Sequence, residues 1–325
     1  MVRVSWKRIG GRKYAYLAHS IRLPDGTVTT ITKRLEEGDE RKGSGALARK
    51  YSAFLSEKEK DMAGKWATKH YNGSYIFSSE EMRKIEAAGV GYARLLKKLD
   101  KARKKDILDR FTANFTYDSN AIEGNSLTLK DVAIVMFEKE TVPGKPLREI
   151  YETRNSRAVV ELIMRRKLGI TQKDIIRMHR ILMRDIDTRT GYKRIPNVIF
   201  RAEREVPTTP PEDVEKEMGK LIEWYNNSGL HPLEKAAIFH GRFEKIHPFE
   251  DGNGRVGRFL INVILVNSGY PPLIIRKTSR RAYMSALTAF DNGHEDKLKR
   301  LMLRHFKDTF RKFFEIYIRY AEPAK

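Results

Sequence analysis

His247-Pro248-Phe249-Glu250-Asp251-Gly252-Asn253-Gly254-Arg255-Val256-Gly257-Arg258 decides how the centre of this chain must fold. Pro248 disfavours helical backbone at His247, which predicts an extended segment or a turn there. Gly252 and Gly254 flank Asn253, a pattern suited to a turn with positive φ and to open backbone N–H groups. Beyond them Val256, Phe259, Leu260, Ile261, Val263, Ile264, Leu265 and Val266 are apolar on nearly every side. The spacing predicts a buried central helix ending at Asn267-Ser268-Gly269. The glycine turn then lies at a helix N-terminus, where free N–H groups and the dipole favour phosphate. Arg255 and Arg258 are i and i+3 on that helix, and two arginines on one face of a buried helix require an anion. Asp251 is a hard oxygen ligand suited to Mg²⁺ that shares phosphate oxygens. His247 can accept a proton near neutral pH.

Taken singly, each feature has an ordinary explanation: a loop histidine, a plain Asp-Gly-Asn-Gly turn, surface arginines in ion pairs. Phe249 is expected only to pack the loop against the core. The coincidence of the others in twelve residues is what carries the reading. The string matches, without a gap, the signature H-x-F-x-[D/E]-G-N-G-R-x-x-R, and the chain resembles the Fic (Fido superfamily) proteins. The likeness extends to His231–His240, Phe243–Ile246 and Gly269-Tyr270-Pro271-Pro272, and spans roughly the last two-thirds of the chain. It implies a mostly α Fic-type helical core with a short β-hairpin flap. It also implies a protein adenylyltransferase that moves AMP from ATP to a Ser, Thr or Tyr hydroxyl of a target protein. In that scheme His247 is the base and Asp251 holds Mg²⁺. Gly252, Asn253 and Gly254 form the anion hole, Arg255 meets the β-phosphate and Arg258 the γ-phosphate. Gly254 resembles AMP-transferring members; Doc-like members that phosphorylate their targets carry a different residue there.

Ser119-Asn120-Ala121-Ile122-Glu123-Gly124 matches the family's inhibitory pattern [S/T]-x-x-x-E-[G/N]. The stretch from Asp106 reads as an amphipathic helix stopped at Gly124, with Ser119 and Glu123 on one face. The resemblance implies that Glu123 pairs with Arg258 and takes the charge site the γ-phosphate needs, and that it could also position water to remove AMP from a modified target. Val198-Ile199-Phe200 and Val206-Pro207-Thr208, separated by Arg201-Ala202-Glu203-Arg204-Glu205, resemble the flap that registers a target segment by main-chain pairing. Two positions depart from the family pattern: Arg281-Ala282-Tyr283-Met284 and Asp291 stand where paired tyrosines and an asparagine are usual near adenine. Glu244, one turn before His247, reads as a helix-surface ion pair.

The remaining sequence sets boundaries. There is no cysteine, so disulfides and thiolate zinc sites are excluded. No apolar run reaches the length of a membrane span, and the basic first residues do not form a signal pattern, so a cytoplasmic location is expected. Residues 1–45 read as a basic β-hairpin appendage and linker, the hairpin carried by Tyr14, Tyr16 and Ala18, Pro24-Asp25-Gly26, and Val28, Thr30 and Thr32. Residues 46–105 read as helical, with Ser78 and Glu81 as a capping box, and 106–325 as the Fic-like region including the inhibitory helix. Leu301 to Tyr320 reads as one amphipathic helix. The net charge of +22 calls for an anionic partner: ATP, an acidic target protein or, through the basic surface, non-specific nucleic acid. The alternative functional class is therefore a nucleic-acid-binding or toxin-like regulator carrying a Fic domain. Oligomerisation stays open.

Overall fold

A computed structural model describes residues 2–201 and 204–321. The chain divides into two compact units, residues 1–91 and 92–325. In the first, β1 (Val2–Ile9), β2 (Arg12–Arg22) and β3 (Val28–Arg34) form an antiparallel sheet in the order β1-β2-β3. The expected hairpin is β2–β3, and β1 adds a third strand that the basic residues of the N-terminus conceal in the sequence. Two helices follow, α1 (Ser44–Lys50) and α2 (Ser52–His70). Val2, Leu17, Ile31 and Leu35 from the sheet side pack on Leu47, Tyr51 and Leu55 from the helix side. At roughly 1.5–3 kcal/mol for each large apolar side chain buried, this cluster is what makes so small a unit fold. The 36–45 stretch is no loose linker, because buried Asp39 is bonded by Lys42 and Lys50, each at 2.7 Å, and by the Tyr51 hydroxyl. Those three donors hold its carboxyl well below the usual carboxylate range. Next comes α3 (Ser79–Lys98), where the Glu81 N–H donates to Ser78 Oγ at 3.3 Å.

The second unit is mostly helical. It comprises α4 (Lys101–Ile122), α5 (Leu129–Ala133), α6 (Leu147–Met164), α7 (Gln172–Leu182), α8 (Pro211–Asn227), α9 (Pro232–Ile246), α10 (Asn253–Asn267), α11 (Arg280–Asp291), α12 (Asp296–Thr309) and α13 (Glu315–Ala321). A short antiparallel hairpin, β4 (Val198–Arg201) and β5 (Arg204–Pro207), precedes α8. Of the expected flap turn, Ala202 and Glu203 lie outside the described residues. The predicted central helix is α10, buried from Arg255 through Val266 and packed on α9, α6, α7 and α4. Its one mid-helix amide, Asn262, is satisfied by the Leu273 backbone at 3.0 and 2.8 Å, which makes its burial tolerable. The predicted inhibitory helix begins earlier than residue 106, because the Asp100 carboxylate caps it by accepting from the Arg103 N–H at 2.8 Å. The C-terminal helix also starts earlier than Leu301, and a π-helical turn at Phe310–Phe314 interrupts it. That turn places Phe313 and Phe314 against Phe111, and Phe314 against Tyr92. Among the described residues no helix is long and apolar enough to cross a membrane.

Candidate functional site

The first helical N–H of α10 with a backbone acceptor is that of Val256, which bonds the Gly252 carbonyl at 3.0 Å. The N–H groups of Asn253, Gly254 and Arg255 therefore point out of the helix tip, as first-turn donors do. Gly252 caps the helix with φ 80°, a conformation that suits glycine. Gly254 serves differently from the expected turn residue. It lies inside the helix, and a Cβ there would sit 2.2 Å from Glu123 Oε1 and 3.0 Å from Arg258 Nη1. It is glycine because other side chains occupy its space.

Asn253 is buried, and its side chain closes the loop before it: Oδ1 accepts from the Phe249 N–H at 2.9 Å and Nδ2 donates to the Phe249 carbonyl at 2.7 Å. His247 adopts the left-handed conformation, φ 51° and ψ 61°, so of the expected extended segment or turn the chain takes the turn. Pro248 forbids continued helix while the Phe243 carbonyl still binds the His247 N–H at 2.9 Å, so the chain reverses in a single residue. Phe249 stacks on His179 with centroids 3.8 Å apart and planes at 2°. His179 Nε2 bonds the Asp251 carbonyl at 3.0 Å. Burial pushes the His179 imidazole down to about 4, so it holds the loop as the neutral ring. Lys193 Nζ bonds Asn197 Oδ1 at 2.7 Å and its N–H the Pro248 carbonyl at 2.9 Å, tying the approach to β4 onto this loop. Burial lowers Lys193 to about 8.

Arg255 and Arg258 are both buried, and each meets a carboxylate. Arg255 Nη1 lies 3.4 Å from Glu152 of α6. Arg258 Nη1 lies 2.7 Å from Glu123, its Nε donates to Ser119 Oγ at 3.1 Å, and its Nη2 donates to the Ser119 carbonyl at 2.8 Å. Burial alone would lower Arg258; Glu123, Tyr283 and Glu244 together more than offset it, and the guanidinium is held firmly charged. The Glu123 turn is pinned from both sides. Arg280 Nε donates to the Ile122 carbonyl at 2.8 Å, and Asn125 Nδ2 donates to Glu152 Oε2 at 2.9 Å. Glu244 is no surface residue: it is buried on α9, within reach of where a Gly257 Cβ would lie, and its charge acts on Arg258.

Two cavities, of about 390 and 330 Å³, share Glu123, His247 and Gly254 in their walls. Arg148, Glu152, Asp251 and Arg255 line the first; Ile199, Phe200, Arg258, Tyr283 and Leu287 line the second. Val198 and Phe200 are exposed and Ile199 is buried. Tyr283 is buried, with its hydroxyl bonded to His240 at 2.8 Å. Asp251 is partly exposed, bonds the Gly252 N–H at 2.6 Å, and meets the Arg148 guanidinium. Among the described residues no group of three His, Asp or Glu side chains could hold a metal by itself. A lone carboxylate that already attracts a cation nevertheless fits Mg²⁺, which completes its shell with water and phosphate oxygens. Sequence reading missed Arg148, Glu152 and His179. The i, i+4 spacing of Arg148 and Glu152 is the one local signal they carry.

The helical core thus presents N–H donors, two arginines and a histidine at one buried helix tip. Residues 169–265 match the family described as Fic/DOC. The chain is 35% identical over 184 residues to a protein adenylyltransferase Fic of Nematostella vectensis, a match covering 54% of this chain and 43% of that protein. The chain spans less than half the length of the curated relatives it matches. Among solved structures, a Fic domain-containing signaling protein from Bacteroides thetaiotaomicron superposes with TM-score 0.62 at 27% identity, covering 71% of this chain and 96% of that one. A Fic family protein from Desulfovibrio desulfuricans G20 gives 0.60 at 28% identity, covering 76% of each.

Proposed function

We propose that this chain is a self-inhibited protein adenylyltransferase that moves AMP from ATP to a Ser, Thr or Tyr hydroxyl of a target protein. His247 takes the hydroxyl proton while the oxygen attacks the α-phosphorus, and the bond to the β-phosphate oxygen breaks to release pyrophosphate. The N–H groups at the α10 tip and Arg255 and Arg258 neutralise the phosphates, so the protein contributes position and charge rather than covalent chemistry. Asp251 would hold Mg²⁺, which would supply neutralisation of phosphate charge beside the α10 tip. The exposed edge of β4, at Val198 and Phe200, would register the target segment by main-chain pairing.

One observation carries the reading: the 2.7 Å Arg258–Glu123 pair stands between two cavities that both touch His247 and Gly254. A triphosphate nucleotide needs one continuous trough and a cation without a resident carboxylate. Removing the Glu123 side chain would free the cation and take away one of the three residues that wall both cavities. The test compares wild type and Glu123→Gly with α-labelled ATP and Mg²⁺, alone and with cell lysate. Labelling should rise at least about tenfold, the change that about 1.4 kcal/mol of relieved competition brings. Equal labelling would remove the self-inhibition, and no labelling by either form would remove the transferase. A second reading rests on the same carboxylate: Glu123 faces both cavities and could orient water for AMP removal. Release of AMP from a modified target, lost in Glu123→Ala, is its expected sign.

A further inference from the structure

The charge excess of the first unit is confined to its sheet. Residues 2–35 hold eight Lys and Arg against one acid, Asp25, whereas residues 36–91 hold ten of each. Pairing of β2 with β3 runs only from Tyr16 to Arg22, while β1 pairs with β2 all the way to Ile9↔Arg12. The Leu35 N–H still bonds the Ala15 carbonyl at 2.9 Å, so the last three pairs, Lys7↔Tyr14, Arg8↔Lys13 and Ile9↔Arg12, overhang as a two-stranded ribbon. It closes through Gly10 and Gly11, both at positive φ, the conformation a tight two-residue hairpin turn demands. Lys7, Arg8, Arg12 and Lys13 are all exposed there.

Behind the tip, the face turned away from α1 and α2 continues in the same character. Alternation places Arg3, Ser5, Tyr16, Ser20, Arg22, Thr30, Thr32 and Arg34 on it, without an acidic residue. Arg34 rides over the Tyr14 ring at 4.0 Å and Lys7 over Tyr16 at 5.0 Å. Neither these cations nor those of the tip form an ion pair among the described residues. Lys33 differs: it lies on the helix-covered face, and its ammonium is packed over Tyr51 and Phe54.

We propose that the β1–β2 ribbon and the open sheet face form a binding surface for duplex DNA, with the ribbon in the major groove. A B-form major groove about 12 Å wide admits a two-stranded ribbon, whereas the A-form groove of RNA is too narrow for one. Hydroxyl, tyrosine and cationic side chains on the flanking face suit phosphate oxygens, which take most protein–DNA hydrogen bonds. A protein partner would call for a contiguous apolar patch. Exposed Ile9 at the tip and Trp6 just behind it make an anionic membrane the competing occupant.

The experiment is fluorescence anisotropy of the full chain with a 20-base-pair DNA duplex at 50–200 mM salt. The comparison ligands are duplex RNA of the same sequence and phosphatidylserine vesicles. Arg8→Ala/Arg12→Ala/Lys13→Ala should weaken DNA binding about thirtyfold or more and flatten the log–log salt slope by about 2.7, as three lost phosphate contacts require. Arg49→Ala/Lys58→Ala/Lys69→Ala, the same charge loss taken from the helices, should change binding by less than about threefold. Arg8→Lys/Arg12→Lys, which keeps the charge, should hold to a similar limit. Equal losses in the two triple variants would overturn the proposal, leaving only bulk charge. So would RNA binding as tight as DNA, or vesicle binding lost from the tip variant while DNA binding stays intact.

Discussion

Arg258 and Arg34 put one chemical group to opposite uses. Arg258 is buried at the tip of α10, and three protein oxygens, two from Ser119 and one from Glu123, occupy its guanidinium. Arg34 stands on an open sheet face, its charge over the Tyr14 ring and no carboxylate near it among the described residues. Burying a cation is costly unless it is paired and hydrogen-bonded, so the helix tip cannot exist without a resident anion or an incoming one. The sheet face has no such debt, since water solvates it until an anion arrives. A buried cationic site therefore carries a resident anion, which on the proposed reading is its competitor; an exposed one needs none.

The widest separation between the two regions should appear in stability. Arg258→Met leaves the Ser119 carbonyl and the solvent-facing Glu123 carboxylate without their cation, and should cost about 1.5–3 kcal/mol, the range for losing hydrogen bonds of a charged group. Arg34→Met should stay within about 0.5 kcal/mol. Denaturant unfolding reports both. Trp224 fluorescence in a Trp6→Phe/Trp66→Phe background follows the second unit, and the native tryptophans of the first follow Arg34→Met. A loss below about 1 kcal/mol for Arg258→Met would mean that its charge is balanced elsewhere, and the comparison would break.

The two regions also differ in how openly the chain announces them. The α10 tip is legible because its groups lie within twelve residues, and because an apolar run from Val256 to Val266 can only be a buried helix. The residues that hold this tip are not. His179, Glu152 and Arg148 approach the loop from 72 to 103 positions away, and no helical or strand period links such distances. Glu244 misleads for a related reason: in Phe243-Glu244-Lys245 it looks like one charge of a surface run, yet α9 is covered on nearly every side. On the sheet, β1 is hidden by its own basic residues. Its alternation of Arg3, Ser5 and Lys7 with Val2, Val4 and Trp6 is a half-exposed strand, but basic residues there read first as a tail.

How closely the buried site is packed around its competitor is measurable at Gly254. Alanine there would normally favour a helix. Here its Cβ would fall 2.2 Å from the Glu123 carboxylate, and overpacking of that kind should cost about 1–3 kcal/mol. Most of that loss should vanish in Glu123→Gly, where the carboxylate is gone. A double-mutant cycle should therefore return a coupling of at least about 1 kcal/mol. Additive losses would mean that the backbone, rather than Glu123, imposes glycine at this position, and that the Glu123 side chain fits less tightly than its distance indicates.

Arg148 lies between the two extremes, and its effect should be the smallest. Its guanidinium is largely exposed, as on the sheet, yet it is engaged by Asp251 and by Glu152 at 3.3 Å, as at the helix tip. The contact to Asp251 occupies the same carboxylate that Mg²⁺ would need. Exposed ion pairs are worth about 0.2–1 kcal/mol, so Arg148→Ala should lower the Mg²⁺ concentration for half-maximal labelling by the Glu123→Gly form by about two- to fivefold. An increase in the Mg²⁺ requirement would reverse the interpretation. Arg148 would then be a cation that works alongside the metal on the triphosphate, and competition by resident groups would be confined to Glu123. The direction of this one shift decides whether self-occupation at the α10 tip belongs to its anion side alone or to both signs of charge.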